Sequence, residues 1–415
     1  MARAGDAVTP TGRPSRRLPA SIWLLGLTSL FMDLSTEMVH GLLPLFLVGT
    51  LGASVTMVGA IDGLAEATAA VAKVFSGALS DALGRRKWLA VAGYALSALS
   101  KPLFPLAGGP GPVLAARLGD RLGKGIRVAP RDALVADQVD GDRRGAAFGL
   151  RQALDTLGAL AGPLAAVGLM VVFAGDFRAV FWVACLPALA SVAVLLFVRE
   201  AAKTPRRGRG FPLRRAELKR LGLPFWLVVA VLLVLLLPRF DESFMLLRAG
   251  DLGLATPQVP LVMAAMNLVA ALLSWPAGRW SDRLGRRRPM VVGFALLVLA
   301  HLALAGATGP AGVFAGAVLW GLHLGITQGV LAALIADLAP ADRRGTAYGV
   351  FQLAAGVAIL VGSVAGGLLW DRVGPAATFA AGAATGVVGL VAFLLILRML
   401  PAAPPSDAAA PPPTR

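Results

Sequence analysis

The chain is poor in cysteine, histidine and charge. Its one cysteine, Cys185, leaves no partner for an internal disulfide and excludes a cysteine-rich metal site. Its three histidines, His40, His301 and His323, sit apart in apolar segments with no metal-ligand spacing. No nucleophile–base set or nucleotide loop is present either. Gly119-Asp120-Arg121-Leu122-Gly123-Lys124 has the wrong glycine spacing for a phosphate loop, and no Ser or Thr follows the lysine. These absences point away from an enzyme and require no cofactor and no metal. Charged residues make up only 15% of 415, against about 25% in soluble domains.

Apolar residues fill the space: 57% of the chain, with a mean hydropathy of +0.74. That composition belongs to a membrane protein with several spans. The formal charge of +16 would suggest nucleic acid in a soluble protein. Here the cations gather in short loops on one side, as membrane topology expects, so nucleic acid is not a partner and the lipid bilayer is. Arg16-Arg17 precede an apolar run, but no clear cleavage site follows, so residues 1–21 read as a cytoplasmic tail.

Windows long enough for a helix across ~30 Å of hydrocarbon fall at 22–48, 57–79, 88–107, 112–136, 146–170, 178–198, 223–247, 258–279, 289–308, 312–336, 346–369 and 375–398. The expected fold is all-α, with twelve transmembrane helices in two six-helix halves, 22–198 and 223–398. A basic linker, 199–222, joins them, and 399–415 reads as a disordered tail. Arg85-Arg86-Lys87, Arg143-Arg144, Arg286-Arg287-Arg288 and Arg343-Arg344 lie on one side; the loops around 49–56, 108–111 and 309–311 carry no Lys or Arg. Both termini are therefore expected on the cytoplasmic side of a bacterial-type inner membrane.

Two pairs of segments repeat about 200 positions apart. Asp137 to Gly149 contains Asp142-Arg143-Arg144-Gly145, and Asp337 to Gly349 contains Asp342-Arg343-Arg344-Gly345. Likewise Gly77, Asp81, Gly84, Arg85 and Arg86 match Gly278, Asp282, Gly285, Arg286 and Arg287, with Ala82 where the second copy has Arg283. A repeat this long indicates a duplicated half-protein. These doubled motifs resemble the major facilitator superfamily, over roughly residues 20–400. The resemblance implies a pseudo-symmetric 6+6 transporter that alternates its access, binds a small solute between the halves and works as a monomer. It also implies that the two loop motifs latch the cytoplasmic side.

The duplication supplies an internal control. Arg117, Asp120, Arg121, Lys124, Arg127, Arg131 and Asp132 fall within an arc of roughly 140° on span 4. Their span 10 counterparts, such as Ala317, Trp320, Leu324 and Leu331, carry no charge. The fold therefore does not need the stripe. A charge at mid-bilayer costs about 2.5–3.5 kcal/mol on insertion scales, so the stripe must meet water, partners or substrate. Arg117, Arg121, Lys124, Arg127 and Arg131 are the expected substrate-binding cations, suited to an anionic or zwitterionic solute.

Acids lie opposite. Asp33 and Glu37 share a face of span 1 with His40, and Asp62 and Glu66 form an i, i+4 pair on span 2. Carboxylates in such surroundings carry protons, so these four are the expected proton-coupling residues, Asp33 and Glu37 foremost. Fixed pairing with the span 4 cations is the competing role. Gly149, Gly158, Gly162 and Pro163 in span 5 resemble the antiporter signature of the superfamily's drug–proton exporters, with Ala166 in place of its last glycine. The expected function is proton-coupled export of a small organic solute. The alternatives are proton-coupled uptake of an organic anion, such as an organophosphate or siderophore, and a non-transporting receptor or scaffold.

Overall fold

The computed structural model describes residues 18–83, 86–139, 143–200, 218, 220–340 and 343–399. Most of the basic linker and of both tails, together with Gly84 and Arg85, lies outside the described residues.

The described residues form twelve spans. Span 1 is Ala20–His40, continued by Leu43–Leu45 and a π-helical turn, Phe46–Thr50. Spans 2 to 6 are Val55–Leu83, Arg86–Ser100 with Leu103–Leu106, Pro110–Asp137, Arg144–Val172 and Phe177–Leu196. Span 7 is Gly222–Leu236 followed by Ser243–Asp251. Spans 8 to 12 are Pro260–Leu284, Arg287–Ala305, Pro310–Leu338, Arg344–Arg372 and Pro375–Met399.

Ten described helices are long and apolar enough to cross a membrane. The two other spans fail that test for physical reasons. Span 4 carries its ionic stripe. Span 7 breaks over residues 237–242, where Pro238 lacks an N–H and Arg239, Asp241 and Glu242 favour water over a continuous helix. The sequence windows treated spans 1, 3 and 7 as continuous. Gly41, Pro102 and Pro238 interrupt them.

The duplication is visible in local geometry. Spans 4 and 10 both start with proline in the first turn, after Gly109 and Gly309 in the same extended conformation. Arg86 binds Asp137, and Arg286 binds Asp337 at 3.4 Å. Each ion pair ties the loop after a second helix to the end of the fourth helix in its own half. Gly285 ends span 8 at φ +80°, a conformation that glycine adopts without strain.

Each half has its own apolar core. Phe46 and Phe181 meet edge to face at 5.3 Å in the first, and Phe240 and Phe244 at 4.9 Å in the second. The halves meet along spans 2 and 11, and spans 5 and 8. At the charge-poor end the seam is closed. Asp371 of span 11 accepts hydrogen bonds from Val55 N and Thr56 N at 3.1 and 2.9 Å and from Thr56 Oγ1 at 2.6 Å, capping span 2 from the other half. A Cβ on Gly59 would sit 2.3 Å from Ser363 O, so the two backbones touch there.

A side chain at Gly59 would wedge this seam apart. Gly59→Leu is expected to cost about 1–3 kcal/mol as overpacking, read as a lower Tm of the purified protein.

Candidate functional site

A cavity of 560 Å³ lies between the halves, lined by residues from the middle of the spans. Its first wall is ionic: Glu37, Glu66, Lys73, Arg121 and Lys124 from spans 1, 2 and 4. The broken span 7 adds Arg239, Asp241 and Glu242. The facing wall is largely apolar, with Met263, Met266, Leu324 and Phe351, and carries the amides of Asn267, Gln328 and Gln352. Exposure rises away from the closed end: the Asp62 side chain is 2% exposed and that of Glu66, one turn on, 32%. Tyr348, near the basic end of span 11, is 44% exposed. The cavity thus ends at the charge-poor seam and extends toward the basic loops.

The span 4 stripe divides into distinct duties. Arg121 and Lys124 line the cavity, and Arg121 Nε lies 3.3 Å from Glu66 Oε1. Arg117 lies behind the cavity, its Nε 3.0 Å from Asp62 Oδ1. Arg127 turns to span 3: it stacks 4.9 Å over the Tyr94 ring and donates to Ser97 Oγ at 2.5 Å. Arg131 donates to Ser29 Oγ at 3.0 Å and lies 3.1 Å from Asp132 and 3.7 Å from Asp155. Three of the five expected substrate cations, Arg117, Arg127 and Arg131, therefore lie outside the cavity lining, held by protein groups. The arc on the helix was right, but neighbouring helices surround span 4 on more than one side.

The acids divide as well. Glu37 and Glu66 line the cavity. Asp33 faces Asp155 of span 5, outside the cavity lining. Asp62 sits deeper, at the closed end. The span 5 glycines seat span 1 beside its acids. A Cβ on Gly158 would lie 2.5 Å from Leu30 O and 3.2 Å from Asp33 Cβ, and one on Gly162 would lie 2.6 Å from Glu37 Cβ. Pro163 is buried within the helix, and Gly149 meets open space.

In the loop motifs, Arg286 Nη1 donates to Asp282 Oδ1 at 2.6 Å as well as pairing with Asp337. Gly278 meets open space. Gly77 and Asp81 lie in the last turns of span 2.

Several polar residues escaped the sequence reading. Lys73 stands seven positions after Glu66, on the same helix face, and that spacing was a usable signal. Lys101, 1% exposed, pairs with Asp120 at 3.2 Å and donates to Thr36 Oγ1 at 3.1 Å. Its only sequence trace is a lysine in an apolar run. Arg248 of span 7 donates to Ala307 O at 2.9 Å at the end of span 9. Ser243 gave no signal, yet its hydroxyl lies 2.7 Å from both Asp62 Oδ2 and Asp241 Oδ1. His40 Nε2 lies 3.2 Å from the same Asp241 oxygen. Ligand atoms of His40, Asp62 and Asp241 fall within 4.8 Å of one another, a spacing that suits a metal ion. The Arg117 guanidinium on Asp62 opposes a second positive charge there.

The model of the Major Facilitator Superfamily matches residues 25–247 and again 240–415. The chain belongs to that superfamily. An uncharacterised transporter of the superfamily from Methanocaldococcus jannaschii is 28% identical over 92% of this chain and 95% of its own length. Multidrug resistance protein MdtH of Escherichia coli is 25% identical over 84% of this chain and 86% of its own. The crystal structure of the nucleoside transporter NupG superposes with a TM-score of 0.74 at 14% identity, covering 92% of this chain and all of that one. That likeness establishes the fold. The chain is thus a multi-pass membrane protein of a transporter family.

Removing one partner of the Lys101–Asp120 pair strands a charge in the first half. Lys101→Met is expected to cost about 3–5 kcal/mol, whereas the double change Lys101→Met, Asp120→Leu recovers most of it. Thermal unfolding of the three purified variants checks the order.

Proposed function

We propose that this protein is a proton-coupled antiporter that exports a small zwitterionic or anionic organic solute by alternating access. The observation that carries the reading is the two-sided cavity: ionic side chains on one wall, apolar and amide side chains on the other, at the junction of the halves. A duplicated transporter binds its solute there. The basic loops are placed in the cytoplasm by the positive-inside rule, which makes the conformation inward-facing, in a bacterial-type inner membrane. The likeness to MdtH and the span 5 glycines favour export.

Lys124 and Arg121 take the solute's anionic group. Its cationic group takes Glu37 or Glu66, which otherwise hold protons. Two cations competing for one carboxylate bind alternately, which is the thermodynamic requirement of exchange. The two loop motifs act as latches that rearrange at the cytoplasmic side during the cycle. Asp33, beside Asp155, remains a candidate for proton transfer away from the cavity.

The Arg121–Glu66 pair favours a second reading. A purely anionic solute that displaced Glu66 from Arg121 would raise the proton affinity of Glu66. Solute and proton would then bind together, which suits uptake of an organic anion.

A thermal-shift panel on purified protein selects the solute. Flux of that solute is then compared in everted and right-side-out vesicles under an imposed pH gradient. Export predicts accumulation in everted vesicles with an acidic interior, coupled to loss of lumenal protons. Accumulation only in right-side-out vesicles with an acidic exterior selects uptake. Lys124→Gln is expected to lower flux about tenfold or more at unchanged expression, as loss of about 1.4 kcal/mol of binding would. Normal flux in that variant removes the ionic wall from solute recognition.

A further inference from the structure

Ser243 lies where the two halves meet at the closed end. Its Oγ stands 2.7 Å from Asp62 Oδ2 of span 2 and 2.7 Å from Asp241 Oδ1 of span 7. A serine hydroxyl has one hydrogen. It satisfies one carboxylate; the other contact needs a hydrogen from the carboxyl itself, or two oxygens repel at hydrogen-bond distance.

The surroundings decide which acid supplies it. Asp241 Oδ1 also accepts from Ser243 N at 2.9 Å and faces His40 Nε2 at 3.2 Å, a second donor when the ring carries hydrogen on that nitrogen. Asp62 Oδ1 is held by Arg117, which leaves Oδ2 toward Ser243. The spare hydrogen therefore belongs on Asp62 Oδ2. The chain runs from Asp62 Oδ2–H to Ser243 Oγ, and from Ser243 Oγ–H to Asp241 Oδ1. The other charged or polar groups around it are Glu37, 3.8 Å behind His40, Glu242 beside Asp241, and Ser363, whose Oγ accepts from Asp241 N at 3.4 Å.

We propose that Asp62 holds a coupling proton of its own, besides those that Glu37 or Glu66 take up in the cavity, and that Ser243 uses it to lock the two halves together at the charge-poor end. The proposal rests on the proton-coupled reading and adds this buried site and its gate to it. With the proton present, one hydrogen bond, Asp62 to Ser243, joins span 2 to span 7, and the Ser243–Asp241 bond within span 7 fixes the hydroxyl that receives it. Without it, a hydroxyl held by Asp241 turns a lone pair toward the Asp62 carboxylate, and the seam is pushed open. The exit is built in, because Asp241 and His40 line the cavity whereas Asp62, nearly fully buried, does not. Ser243 Oγ accepts the proton from Asp62 as it gives its own to Asp241, and Asp241 passes it to cavity water. One proton leaves and no other bond changes. Ser243 is a positioning residue in this relay.

The test uses spin labels at Leu51→Cys and Val373→Cys, which flank the Asp371 contact across the seam, with Cys185→Ser as background. Pulsed dipolar distances are recorded between acidic and alkaline pH in lipid nanodiscs. Raising the pH is expected to convert a short distance into a long one and to lower the closed-to-open ratio about tenfold or more, equivalent to about 1.4 kcal/mol. Asp62→Asn, neutral at every pH and still a donor to Ser243, is expected to stay closed throughout. Ser243→Ala should abolish the pH response, and Ser243→Thr, which keeps the hydroxyl, should restore it. Infrared difference spectra supply a second readout: a protonated-carboxyl band that titrates with the distance change and is absent in Asp62→Asn. An identical pH response in wild type and Asp62→Asn, or no carboxyl band lost in that variant, overturns the proposal. A pH-dependent seam in a protein without flux would retain the lock and overturn only the transport reading.

Discussion

A charge inside a bilayer needs a partner, and that constraint organises the first half of this molecule. Arg117 is matched by Asp62, Lys101 by Asp120, and Arg121 by Glu66. Arg131 and Arg151 both lie within 4 Å of Asp155. All of these except Arg151–Asp155, which lies within span 5, join two helices that would otherwise associate only through van der Waals packing in an apolar solvent. Removing one member leaves a stranded charge, so the pairs enforce a particular arrangement more than they add stability. The second half meets the same constraint by avoiding it. Its span 10 is neutral along the face that is ionic in span 4, and its core is aromatic around Phe240, Trp320 and His301.

In the proposed cycle, the asymmetry gives the halves different parts. The ionic half supplies charged groups that can exchange partners, and the apolar half supplies a wall against which a solute's carbon skeleton can rest. Span 7 belongs to both. Its break carries Arg239, Asp241 and Glu242 into the cavity, while Ser243 begins the segment that closes the seam. In the proposed cycle, groups that meet the solute and groups that hold the gate thus lie side by side on one element. Partner exchange at such a junction biases a two-state interface, which is what coupling requires.

Much of the fold was legible in the sequence. Apolar windows and the 200-residue repeat led to twelve spans in two halves, and the structure has them. The ion pairs Arg86–Asp137 and Arg286–Asp337 were not among the expectations from the repeat; the structure supplied them. The helix breaks were less legible, because a single Pro238 or Pro102 within an apolar run leaves hydropathy almost unchanged. The site was partly legible. The ionic face of span 4 was evident from periodicity, but which of its cations meets the cavity depends on which neighbouring helix each side chain reaches. Arg127 and Lys124 are one turn apart; one stacks on Tyr94 and the other lines the cavity.

The sequence by itself determined that this chain spans a membrane, that it was built by duplication, and that only one copy carries an ionic helix. Those properties are one-dimensional: hydropathy, period and repeat survive in the order of residues. Only the tertiary structure decided that Asp62, Ser243 and Asp241 share a junction, that Lys73 joins the cavity, and that Gly158 and Gly162 seat the acids of span 1. These depend on contacts between residues up to 181 positions apart. Such contacts are set by how twelve helices pack, and no local pattern records them.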